Sequence, residues 1–325
     1  MTLKRIFLGL LLFLAAAVGY YVYAFVTFAS DIQQPHIVKD QSPDKPNKSE
    51  IPVWGGKERV NILLMGVDSR ERSLDEMPRS DTMLVVSIDP ASKTYSLFSV
   101  LRDTYVEIPG YGSSRINAAL SHGGPSLAMQ TISNFTGLPI DYYVITDFEG
   151  FKGLVDAVGG VEFEVEKDMY YRDPADKGKY DINLKKGLQH LDGEKALQYV
   201  RFRHDAMSDY TRTERQRKFL SALADKMKRG ATVLQLPDIL ESMRPYVQTN
   251  LSSLDMVKLA ALGLTLDGAG AEGHQLPQPG AFREANRGGS VLLPSVERVQ
   301  TYVQDVLSKS AEQSPKTDTD SATQG

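Results

Sequence analysis

No cysteine occurs in the 325 residues of this chain, so neither a disulfide framework nor a thiolate metal site nor a cysteine nucleophile can be built from it. A basic excess is missing too. Lys and Arg number 37 against 41 Asp and Glu, the formal net charge is −4, and the sequence pI is about 5.8, where nucleic-acid binders usually carry a basic domain. No helix-turn-helix pattern and no internal repeat stand out. Charge of either sign is absent from residues 6–28, IFLGLLLFLAAAVGYYVYAFVTF, which as a helix would extend about 35 Å and cross a hydrocarbon core.

Lys4 and Arg5 precede that run and Asp31 follows it, so the positive-inside bias places residues 1–5 in the cytoplasm and everything beyond outside the cell. A cleaved signal peptide is the alternative, with Ala15, Ala16 and Ala17 imitating a cleavage site. The run continues through Tyr20, Tyr21, Tyr23, Phe25 and Phe28, however, which outlasts a signal core and supplies an aromatic belt, so it reads as a retained anchor. Residues 29–58, rich in Pro, Lys, Asp and Ser, read as an extracytoplasmic spacer that lifts a domain off the membrane. Residues 309–325 lack large apolar side chains and read as a disordered tail, which leaves 59–308 as one large domain.

Within that domain strands and helices alternate, which predicts an α/β layered fold. VNILLMGV, DTMLVVSI and TYSLFSVL are near-continuous apolar runs, expected as central strands buried on both faces. GGPSLAMQTISNF predicts a helix ending near Gly137; DYYVITD and VEFEV predict strands around a helix FEGFKGLVDAV. The last apolar periodicity, at 296, 299, 303 and 307, predicts a closing helix.

Between the first two strands lies a long charged connection, DSRERSLDEMPRSD, holding Arg70, Arg72 and Arg79 between Asp68 and Asp81. If those strands pair in opposite directions, Asp68 and Asp81 share one rim of the sheet. Two carboxylates there must hold a cation, share a proton, or take opposite acid and base roles; the plain alternative is that each caps a turn or pairs with a local Arg. Oxygen donors with no His or Cys nearby suit Mg²⁺ better than Zn²⁺.

A second cluster, YVRFRHDAMSDYTRTERQRKFL, spans 199–220. Read as a strand, YVRFR alternates so that Arg201 and Arg203 share one face. The following helix carries Phe219, Leu220, Leu223 and Met227 on one stripe, and the same spacing continued backward turns Arg212 and Gln216 inward while Arg217 falls off it. Inward-pointing Arg side chains need an anion, and Asp205 or Asp209 is the local candidate. Four such groups, joined by Arg102 at the end of the third strand, exceed what one or two Asp residues neutralise and match the several oxygens of a pyrophosphate.

The series GVDSR, RSDTM, SVLRDTYV, RINAALSHGG, LVDAVGGVEFEV, LDGEKALQYVRFRHD and DYTRTERQRK, over about residues 60–230, resembles the LytR-CpsA-Psr family of membrane-anchored cell-wall enzymes. The resemblance implies a mixed central sheet flanked by helices, an apolar pocket for a polyprenyl chain, and Mg²⁺ (or Mn²⁺) as cofactor. It implies transfer of an anionic glycopolymer from polyprenyl pyrophosphate to the muramic-acid 6-hydroxyl of peptidoglycan as a phosphodiester. One anchor, a short spacer and no appended domain resemble the teichoic acid transferases of Gram-positive rods, which puts wall teichoic acid first. The alternatives are a polyprenyl-pyrophosphate phosphohydrolase and a non-catalytic membrane-bound regulator or lipid-binding protein. By the resemblance, Asp68 and Asp81 fall on the metal-linked carboxylates, with one of them as base, and Arg102, Arg201, Arg203 and Gln216 fall on pyrophosphate ligands. Arg115, Arg212 and Arg215 match positions near the phosphates, and Asp209 matches a family acid. Two positions depart from the pattern: Arg115 stands for a usual Lys, and Leu101 for a usual Pro before the RDT triplet.

Overall fold

Three apolar runs in succession, each long enough for a strand and separated by polar turns, fold against one another in a computed structural model. It describes residues 2–34, 36–41, 53–68, 78–172, 178, 181–203, 208–229, 232, 234–266 and 273–312. The charged connection at 69–77, with Arg70 and Arg72, lies outside these, as do Asp205, the side chain of Asp209, and residues 313–325 of the expected tail.

The chain opens with α1 (Thr2–Ile32), then β1 (Val60–Val67), β2 (Ser80–Asp89) and β3 (Thr94–Val100). A hairpin of β4 (Tyr105–Ile108) and β5 (Gly112–Arg115) leads to α2 (Ala118–Thr136), β6 (Tyr142–Asp147) and α3 (Phe148–Ala157). Next come β7 (Val161–Val165), β8 (Met169–Tyr171), β9 (Ile182–Leu184), β10 (Gly187–Leu191), α4 (Gly193–Arg201) and α5 (Ser208–Met227). The last part holds α6 (Leu236–Met243), β11 (Val247–Thr249), α7 (Ser253–Gly263), β12 (Gly273–Leu276), β13 (Phe282–Asn286), β14 (Ser290–Pro294) and α8 (Val296–Glu312). Six strands form the central sheet in the order β11-β6-β1-β2-β3-β12. It is mixed: β1, β2 and β3 pair antiparallel in sequence, while β6 joins β1 and β12 joins β3 in parallel.

The period of two decides which side is sealed. Leu63, Met65, Val67, Met83, Val85 and Ile145 face one core with α2 and α8, and all are buried. On the other face Leu64, Thr82, Val86, Val144 and Thr146 remain partly exposed, although their strands lie inside the sheet. The expectation of burial on both faces therefore holds in full for the first face and over part of the second, where Val60, Ile62, Leu84 and Ile88 are buried. A second core gathers β7 and β10 with α4, α5 and α6, and a third joins Trp54, Val60, Ile62, Ile88, Tyr142 and Leu251.

The helix expected to stop near Gly137 does so: its φ of 74° places it in the left-handed region, where glycine caps a helix without steric cost. YVRFR is not a strand. Tyr199, Val200 and Arg201 are the last residues of α4, whose N-cap Asp192 accepts from the Lys195 amide and whose Ala196, Leu197, Tyr199 and Val200 are buried. The alternation over five residues was a helical stripe cut short, and Arg201 and Arg203 do not share a strand face.

The spacer reading also fails over residues 29–34 and 36–41. Ala29, Ile32, Ile37 and Val38 are buried. The main-chain amides of Ile37 and Val38 both donate to Gln248 Oε1 at 2.8 Å, and Gln248 Nε2 donates back to the Val38 carbonyl at 2.8 Å. An apolar Ile-Val pair inside a polar segment is hidden by average composition. The domain sits on its anchor helix.

Candidate functional site

Where β1 and β2 meet at the sheet rim, the register slips: Gly66 pairs with Thr82 and Val67 with Ser80, so Asp81 is the extra residue of a β-bulge. A bulge twists the strand and re-aims the side chain it leaves unpaired, here a carboxylate. Asp68, one residue past β1, is 3% exposed. The two acids therefore lie at one rim, as the antiparallel reading requires.

Arg102 follows β3 and donates from Nη1 to Asp81 Oδ1 at 3.0 Å, with its Nε 3.7 Å from Asp103 Oδ2. Arg115, at the end of β5, places Nε 3.4 Å from Asp103 Oδ1 and donates from Nη2 to the Ser290 carbonyl at 3.4 Å. Asp81, Arg102, Asp103 and Arg115 thus alternate in charge along the rim. The guanidinium at 115 reaches two acceptors at once, which one ammonium nitrogen does not do in the same geometry. Leu101, where the resemblance leads to an expected Pro, gives its amide to the Leu276 carbonyl at 2.8 Å and so ties the strand end to β12 by a bond that Pro lacks.

From the opposite side α5 supplies Arg212 and Gln216. Arg212, 4% exposed, donates from Nη2 to the Asp81 carbonyl at 3.4 Å. Gln216 Nε2 donates to Thr82 Oγ1 at 3.2 Å and to the Val200 carbonyl at 3.3 Å. Arg102 and, more than a hundred residues further along the chain, Arg212 and Gln216 converge on the bulge. Arg201 and Arg203 are half-buried at the end of α4, with the Arg201 guanidinium 5.1 Å from the centre of the Phe148 ring. Arg79 is exposed.

Arg215 is not in this group. Its Nε donates to Glu166 Oε1 at 2.8 Å and its Nη1 to the Phe202 carbonyl at 2.8 Å, with Phe202 under the guanidinium. Burial opposes ionisation of Glu166, but the bonds from Arg215, its own amide and Tyr199 outweigh it and hold the carboxyl below its ordinary value. Arg215 therefore fastens the Phe202 C-cap of α4 to α5.

Asp103 and Arg217 escaped the sequence reading. Asp103 was signalled only by standing next to Arg102. Arg217, expected off the buried stripe, turns across the sheet edge and donates to Ser99 Oγ at 2.8 Å, and burial depresses its pKa. It lies against Gly273, where a Cβ would run into its Nε.

Asp68 and Asp81 bring oxygen donors alone, and among the described residues no group of three or more His, Cys, Asp or Glu is placed to hold a metal. That donor set fits a hard divalent cation completed by phosphate oxygens and water. It does not fit zinc, which takes four protein ligands or three with nitrogen or sulfur among them.

The sequence profile of the LytR_cpsA_psr family matches residues 20–306. The polyisoprenyl-teichoic acid–peptidoglycan teichoic acid transferase TagU of Enterococcus faecalis is 37% identical over 222 residues, 68% of this chain and 70% of its own. The regulatory protein MsrR of Staphylococcus aureus is 36% identical over 195 residues, 59% of this chain and 57% of its own. Among solved structures, "TagT bound to LI-WTA" superposes with a TM-score of 0.62 at 28% identity, covering 85% of this chain and 96% of that one.

Proposed function

The chain belongs to the LytR_cpsA_psr family, and on that premise we propose that it transfers a wall glycopolymer, wall teichoic acid first, from a polyprenyl-pyrophosphate carrier to the muramic-acid 6-hydroxyl of peptidoglycan. The observation that supports this reading is the convergence of Arg102, Arg212 and Gln216 on the bulged Asp81. In this reading the domain stands outside the membrane, as Lys4 and Arg5 before the anchor favour.

The acceptor oxygen attacks the phosphorus on the polymer side of the pyrophosphate. A new P–O bond forms, the bond to the bridging oxygen breaks, and polyprenyl phosphate leaves with the electron pair. A carboxylate of the Asp68 and Asp81 pair takes the hydroxyl proton. Arg102 and Arg212 stabilise the charge that moves onto the bridging oxygen, with Arg201, Arg203 and Gln216 positioning the phosphates. Arg215 acts by fastening the end of α4 to α5. Mg²⁺, held by Asp68 and Asp81, would neutralise phosphate charge. The partly exposed face of the sheet, from Val86 and Val144 to Thr82, suits the lipid chain, since it is apolar and ends beside the bulge.

The test uses full-length protein in nanodiscs, a polyprenyl-pyrophosphate-linked glycopolymer and a peptidoglycan oligomer, with and without Mg²⁺, followed by mass spectrometry. A phosphodiester adduct that disappears in Arg102→Ala and Asp81→Ala is expected. Phosphate release without an adduct would assign a hydrolase, and neither product would favour a regulator.

A further inference from the structure

The docking of α1 against the domain fixes how deep the domain reaches toward the bilayer. Tyr21 Oη donates to the Leu234 carbonyl at 2.8 Å, and Arg244 Nη1 pairs with Asp31 Oδ2 at 3.0 Å. Residues 234–244 therefore run beside residues 21–31 in the same direction, with Leu234 toward the membrane and Arg244 toward water. The apolar helix spans Lys4–Ile32.

A hydrocarbon core of about 30 Å takes about 20 helical residues. Counted from Ile6, the first residue after Lys4 and Arg5, such a span ends near Phe25, and Tyr21 lies about 6 Å inside its edge at 1.5 Å per residue. Shifting the span outward or tilting the helix takes Tyr21 deeper. Leu234 is hydrogen-bonded to that side chain and is 75% exposed. An apolar side chain held open at that depth has lipid for its neighbour.

The surroundings agree in chemistry. Met227, Lys228 and Arg229, just before this stretch, are exposed, and Lys228 Nζ donates to the Leu266 carbonyl, two residues from the exposed Leu264. Apolar tips flanked by cations suit the boundary between acyl chains and anionic headgroups. Val22 and Val26 of α1 are exposed as well, on the helix whose Tyr21 holds Leu234. We infer that Leu234 and its flanking basic residues insert into the bilayer boundary, so that the domain lies on the membrane at a fixed height and angle, held by two contacts where a swinging tether has one.

The absence of cysteine makes the test direct. Leu234→Cys, Leu12→Cys and Leu188→Cys would each carry a nitroxide on the full-length protein in vesicles containing phosphatidylglycerol. Leu188, on β10, is 72% exposed and serves as the aqueous reference; Leu12 lies in the anchor. Depth is read from collision with oxygen, which partitions into lipid, against collision with a water-soluble nickel complex. The label at 234 is expected to resemble the one at 12, with contact to nickel lost relative to 188. A label at 234 as accessible to nickel as the one at 188, with 12 still shielded, would overturn the inference. Nickel contact at 12 as well would overturn the membrane anchor, and the inference with it.

Discussion

At the scale of single residues, the carboxylate rim was legible because antiparallel pairing follows from two adjacent apolar runs, and pairing alone brings Asp68 to Asp81. The bulge that singles out Asp81 was not, since one skipped residue leaves no mark on the apolar pattern. Nor was the sorting of the arginines: Arg212 and Arg215 are both buried on α5, but one meets the Asp81 carbonyl and the other Glu166. Their partners lie far along the chain. Because Arg102 touches the Asp81 carboxylate directly, Arg102→Ala should lower turnover by about 10²–10³-fold, the usual cost of losing one charge-stabilising donor, with little change in melting temperature. Steady-state kinetics on the lipid-linked donor measure it. Gly273 makes a different prediction. With no side chain it lets Arg217 lie against β12 and reach Ser99, so Gly273→Ala should displace the guanidinium and lower the melting temperature, while Arg217→Met should tolerate the same alanine better. A double-mutant thermal cycle shows whether the two losses couple.

At the scale of elements, strands with long apolar runs and helices with clear caps were readable, whereas short segments misled. YVRFR reads as a strand only if the window opens at Tyr199; opened at Asp192 it shows an N-cap and an apolar spacing of three and four. The C-cap of α4 is held to α5 by Arg215, Glu166 and the Phe202 carbonyl, and this clasp has a pH signature. The folded-state pKa of Glu166 is depressed, so its contribution is complete above the unfolded value of about 4.3 and is lost as pH falls through the folded one. Glu166→Gln should therefore melt below the wild type at pH 7, and the gap should narrow below about pH 4.3. A gap independent of pH between 7 and 3 would mean that packing, and no ion pair, holds the end of α4 to α5. Melting curves across that range decide it.

At the scale of the whole molecule, anchor and domain are one body. Gln248, 1% exposed, joins the edge of the sheet to the chain leaving the membrane through three hydrogen bonds to Ile37 and Val38. Removing it strands those buried amides at a cost of about 1–3 kcal/mol each where water does not replace the partner. Gln248→Ala should accordingly expose residues 36–41 to limited proteolysis before the rest of the domain unfolds. The sheet carries the other global feature. Its strands read as apolar on both faces, and nothing in such a run says which stretch of the second face stays partly exposed, because helices distant in sequence decide what covers each side. The partly exposed stretch of that face, with Leu64 opposite Val144 of β6 and Val86 two residues along β2 from Leu84, the partner of Leu64, is apolar as a long hydrocarbon requires and leads to Thr82, which Gln216 holds. Filling it should then discriminate by chain length. Val144→Trp, checked by thermal melting to be folded, should depress transfer from a long polyprenyl donor and spare a donor with a chain of two or three isoprene units, because a short chain does not reach the new ring. Equal loss with both donors would place the lipid elsewhere and leave this face a packing defect; rates measured with the two donors side by side separate the cases.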